Sequence, residues 1–134
     1  MKSQLVKNVA AATIMGLAWT LATPVWAGIR DYEFQLVESQ VKKSETALLA
    51  VRLVDKRSGG AVPNAVIFAQ RLDMAPDGME TMTAPIEPLP ASEPGVYRFK
   101  ANLTAAGGWR LSLSAKIQSE TGTLESALPF RVLP

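Results

Sequence analysis

The stretch GVYRFKANLTAAGGWRLSLSAKI, Gly95 to Ile117, decides the fold. From Trp109 onward the side chains alternate. Trp109, Leu111, Leu113, Ala115 and Ile117 share one face, and Arg110, Ser112, Ser114 and Lys116 share the other. That period of two is the mark of a strand with one buried and one wet face. Tyr97, Phe99 and Ala101 repeat it, with Arg98 and Lys100 between them. The polar, glycine-containing break Asn102 to Gly108 predicts that the two runs pair as an antiparallel hairpin with a longer loop.

Working outward, Tyr32, Phe34 and Leu36 alternate in a first strand expected over Gly28 to Val37, followed by a polar connection over Glu38 to Glu45. Thr46 to Asp55 places Ala47, Leu49, Val51 and Leu53 on one face; Leu48 and Val54 on the other face predict a central strand partly covered on both sides. Val66 to Leu72 is a further strand. Asp73 to Pro94 holds five of the nine prolines, which predicts a turn at Pro76-Asp77-Gly78, a short edge strand near Glu80 to Ile86, and a loop. Leu124, Ser126, Leu128, Phe130 and Val132 line a closing strand. No helical spacing longer than a turn or two interrupts this. The expected fold is an all-β, immunoglobulin-like antiparallel β-sandwich of about seven strands, with a small closed barrel as the alternative.

The first 27 residues stand apart. Lys2 and Lys7 form a positive start, Val9 to Leu21 an apolar run, and Thr23-Pro24-Val25-Trp26-Ala27 a cleavage site, so residues 1–27 read as a secretory signal peptide cut after Ala27. The apolar run is shorter than the roughly 20 residues of a membrane span, which predicts no stable span once the peptide is removed. Residues 28–134 are then a single domain, exported to the periplasm. Of 14 basic residues Lys2 and Lys7 are lost, which leaves 12 against 12 acidic ones and a formal charge of zero. With no basic stripe, nucleic-acid binding is not expected.

Cysteine and histidine are both absent. That removes a thiol nucleophile, a Ser-His-Asp triad, a histidine base and a Cys or His zinc site. Neither Asp55 nor Glu93 has a second acid, base or nucleophile at a telling spacing, so an enzyme is not expected. Trp109 is expected in the core with its N–H on backbone, and Tyr97 is expected to tie a strand corner through its hydroxyl.

The pieces Val51-Arg52-Leu53-Val54-Asp55, Ser58-Gly59-Gly60-Ala61-Val62-Pro63-Asn64-Ala65, Pro94-Gly95-Val96-Tyr97-Arg98-Phe99 and Ala105-Ala106-Gly107-Gly108-Trp109-Arg110-Leu111 together resemble the YtkA-like domain family, itself similar to the periplasmic FixH-type proteins. The resemblance covers roughly Glu45 to Val132. It implies a small exported β-sandwich without catalysis, found alone or beside heavy-metal efflux adaptors and copper-oxidase assembly factors. A metal-efflux or oxidase-assembly envelope protein is therefore the implied partner.

Outside the leader, the only methionines are Met74, Met79 and Met82, within one nine-residue window. Thioether sulfur is a soft ligand that selects Cu(I), so the three are the candidate metal site and Cu(I) the candidate cofactor. Met79 and Met82 fall on opposite faces of an ideal strand and converge only if the chain turns, as Gly78 permits. Two other readings stand beside it: core filling by a flexible side chain, and apolar contact with a protein partner without any metal. Asp73, Asp77, Glu80 and Glu87 flank the methionines, but they lack the alternating oxygens and closing glutamate of a calcium loop.

Overall fold

The computed structural model describes residues 28–134; the signal peptide and its cleavage after Ala27 lie outside the described residues. Among the described residues nine strands run in chain order: β1 Tyr32–Leu36, β2 Gln40–Lys42, β3 Ser44–Asp55, β4 Val66–Met74, β5 Met79–Ala84, β6 Ile86–Leu89, β7 Val96–Leu103, β8 Gly107–Lys116 and β9 Leu124–Leu133. They form two sheets, β1-β3-β7-β6 and β2-β9-β8-β4-β5, not a closed barrel. This is the immunoglobulin-like strand order of four against three, widened by β2 and β5.

The expected hairpin is not formed. β7 pairs with β3 and β6 in one sheet, and β8 pairs with β4 and β9 in the other. Both runs do bury their apolar faces, but across the core from one another. Alternation reports which face of a strand is dry and is silent on which strand lies beside it. The segment between them crosses from sheet to sheet, and Trp109, buried, donates its Nε1–H to the Ala105 carbonyl at 2.9 Å.

Two further differences account for nine strands instead of about seven. Within the connection expected to be plain loop, β2 pairs in parallel with β9, Val41 opposite Val132. The chain thus leaves one sheet after β1 and joins the other. In the proline-rich segment, β5 and β6 are separate strands in different sheets, and Pro88 sits on the edge strand β6, where a missing donor is tolerated. The first strand starts later than expected, after a 3-10 turn at Ile29–Asp31.

The inner faces meet in one core of Leu49, Val51, Leu53, Leu72, Phe99, Leu103, Trp109, Leu111, Leu113 and their neighbours. With no cysteine to cross-link the chain, burial of these side chains at roughly 1.5–3 kcal/mol each is what offsets the entropy of folding. Val54 is covered on the outer face of β3, whereas Leu48 is not.

Candidate functional site

The methionine segment is a hairpin at one end of the five-stranded sheet. β4 brings Leu72 and Met74 into the core; a 3-10 turn, Ala75–Asp77, then reverses the chain, with Pro76 in its first positions and Gly78 left-handed at φ 78°. Glycine takes that conformation without penalty. The Gly78 N–H closes the turn on the Ala75 carbonyl at 2.8 Å. The expected turn at Pro76-Asp77-Gly78 is therefore present, and it lies before Met79 instead of between Met79 and Met82.

Two aspartates hold the hairpin down. Asp73 has a side-chain exposure of 0% although it faces away from the core. Its Oδ1 accepts the Ala75 N–H at 2.9 Å, and its Oδ2 accepts from Arg110 Nη2 at 2.9 Å and Arg71 Nε at 3.2 Å. Burial pushes this carboxyl's pKa up, but the two guanidiniums and the Ala75 N–H outweigh burial and hold it below its ordinary value. Arg71 also donates to the Glu80 carbonyl at 2.9 Å, so one arginine joins both arms of the hairpin.

Asp77 reaches across to β8, where its Oδ2 accepts the Gly108 N–H at 3.0 Å. The Gly107-Gly108 pair is the seat for this contact. A Cβ on Gly107, which has φ 138°, would stand 2.5 Å from Asp77 Oδ2 and 2.9 Å from the Met74 methyl; one on Gly108 would stand 2.9 Å from Asp77 and Pro76. Two pieces of sequence that read separately, Met74 to Gly78 and Gly107 to Trp109, are thus one structural unit.

The three methionines take different positions. Met74 is 2% exposed and packed in the core. Met79 is its register partner on β5, so strand pairing brings these two together. The register slips between Asp73 and Met74: Thr83 faces Asp73 while Met79 faces Met74, which leaves Glu80 to Met82 as an outward bulge. Met79 and Met82 are 44% and 45% exposed on this edge strand. Among the described residues, no cluster of three or more His, Cys, Asp or Glu side chains is placed to hold a metal ion.

Asp55 is engaged by Arg57, which bonds both carboxylate oxygens at 3.0 and 2.7 Å and draws the carboxyl pKa down. Tyr97 ties a corner as expected: its hydroxyl donates to the Val62 carbonyl at 2.8 Å and accepts the Ala65 N–H at 3.0 Å. The residues that sequence reasoning missed are Arg71, Arg110 and the structural role of Asp73. Alternation does put Arg71 and Asp73 on one face of β4, but Arg110 joins them only because β8 is the neighbouring strand.

The family model described as YtkA-like matches residues 27–114, more than half of the chain. No curated protein matches. Among solved structures the chain is similar to one titled ZirS C-terminal Domain, at 15% sequence identity and a TM-score of 0.44, covering 84% of this chain and 83% of that one.

Proposed function

Because the chain belongs to the YtkA-like family, we propose that it is an exported, non-catalytic accessory module of the periplasm that acts by contact and serves copper handling. The methionine hairpin is its contact, and a metal-efflux or oxidase-assembly envelope protein is its partner. One observation carries the reading. Of three clustered thioethers, the fold retains one in its core and displays the other two on an open edge strand, anchored by Asp73 and Asp77. Exposed methionine is a soft, polarizable surface suited to Cu(I) and to an adaptable protein contact. Export is supported by the leader over residues 1–27, and the absence of histidine and cysteine from the sequence speaks against common catalytic chemistries.

An anaerobic Cu(I) titration against a competing chromophoric chelator tests this, with Met79→Leu/Met82→Leu alongside. Copper capture by the parent that is lost in the double variant establishes the site. If the folded parent captures no copper, the same edge is left as a metal-independent protein contact. That second reading is favoured by the burial of Met74, which leaves two of the three clustered thioethers accessible.

A further inference from the structure

β3 has twelve residues, but β1 covers only its second half, pairing from Val51 to Asp55. Beyond that the chain turns away to become β2 in the other sheet. The last contact is the Val37 N–H on the Ala50 carbonyl at 2.9 Å. Successive residues of a strand direct their backbone groups to alternate sides, so the Leu48 N–H and C=O face the same side as those of Ala50. Among the described residues no strand lies beside Leu48 there. The next N–H on that side, of Thr46, is taken up locally by Ser44 Oγ at 3.0 Å.

The side chains around this gap are unusual for a central strand. Leu48 is 60% exposed and Val37 51%. They line a groove with Val41, Ala50, Glu38 and Arg98. Arg98 donates one Nη2–H to the Pro90 carbonyl at 3.0 Å, but its Nε is buried with no acceptor. Arg110 Nε is likewise buried without an acceptor, so what marks this groove is the rest of the Arg98 guanidinium, which has no carboxylate beside it among the described residues. On the same face Lys100 is paired with Glu87, whereas Arg52 and Arg98 have no ion pair among the described residues.

We infer that the uncovered half of β3 is a docking site for an extended segment of a partner protein that adds as a strand beside Leu48. It lays an aliphatic side chain on Leu48 and Val37 and presents a carboxylate to Arg98. An unpaired backbone donor and acceptor side by side call for another backbone, which a lipid or small acid does not supply. Arg98 in the groove wall and Arg52 on the same face outnumber the one acidic lining residue, Glu38, and so favour a carboxylate. The site lies in the four-stranded sheet, separate from the methionine edge in the other, and does not depend on the copper reading.

A random-peptide display selection on the purified protein, followed by titration of the 15N-labelled protein with the selected peptide, tests it. Enriched peptides carry an acidic residue next but one to an aliphatic residue, and they saturably shift the Leu48 amide and the Arg98 guanidinium signals. Leu48→Ser, an exposed change that spares the fold, weakens binding by ~10-fold or more. Arg98→Glu shifts the selection toward basic peptides, and Met79→Leu/Met82→Leu leaves binding intact. The proposal is overturned if no peptide is enriched, if those enriched bind Leu48→Ser equally, or if sedimentation shows a dimer of the parent that Leu48→Ser dissociates.

Discussion

The sandwich closes its two ends by the same device made from different chemistry. At the methionine end, Asp77 pins a turn to the Gly108 N–H while Asp73 is clasped by Arg71 and Arg110. At the opposite end, the Tyr97 hydroxyl pins the Val62 to Ala65 loop by two bonds, and Tyr97 meets Phe34 edge-on at 6.3 Å. Both ends use a glycine where a loop is pressed against a strand. Gly107 faces Asp77 and Met74, and Gly95 at φ 81° would place a Cβ 2.5 Å from that of Ala61. The Tyr97 tie is neutral and continuous with the core, with the Asp55–Arg57 ion pair standing apart from it on the turn nearby. The methionine end is ionic and finishes in an exposed, bulged edge, so it combines a firm anchor with a displayed surface.

The sharpest way to break this parallel is at the glycines. Gly107→Ala forces a non-glycine residue to φ 138° against Asp77 and Met74, with an expected loss of ~3 kcal/mol by chemical denaturation. Gly95→Ala should cost a similar amount at the other end. Next in size, Asp73→Ala removes three hydrogen bonds, two of them to guanidiniums, and is expected to cost ~2 kcal/mol, loosening the hairpin before the core in hydrogen exchange.

The Asp73 clasp and the Tyr97 tie should also separate by pH. The Asp73 pKa is lower in the folded protein than in the unfolded chain, so its stabilisation is complete above the unfolded value and fades as pH falls through the folded one. The expected signature is an acid limb below about pH 4 in the stability profile. Asp73→Asn should reduce that limb to the part that Asp55, lowered by Arg57, contributes, while Tyr97→Phe lowers the whole profile by ~1.5 kcal/mol without changing its shape. The smallest effect is expected for Met79→Leu/Met82→Leu. These side chains are exposed, and thermal unfolding should register a change within ~0.5 kcal/mol, so any lost copper or partner binding reports contact and not folding.

Much of the fold was legible because burial leaves a period in the chain. Every member of the series Trp109, Leu111, Leu113, Ala115, Ile117 is buried, as are Ala47, Leu49, Val51 and Leu53. The Trp109 and Tyr97 hydrogen bonds followed from the rule that buried polar tips find partners. β2 was not legible: Gln40-Val41-Lys42 has the composition of a loop and becomes a strand only because β9 offers its edge. The Met74 to Gly78 turn was legible from Pro76 and Gly78, but its seat on Gly107-Gly108 was not, since nothing in either piece names the other.

Local spacing by itself determined the all-β class and the dry face of each strand, because side-chain direction in a strand depends only on the residue's own position. Tertiary structure alone decided which strands are neighbours, and with that the separation of β7 from β8, the Arg110 clasp on Asp73, the display of Met79 and Met82, and the gap beside Leu48. Each of these is a pairing between distant segments. Many pairings bury the same apolar faces, and the choice among them rests on how all nine strands pack at once.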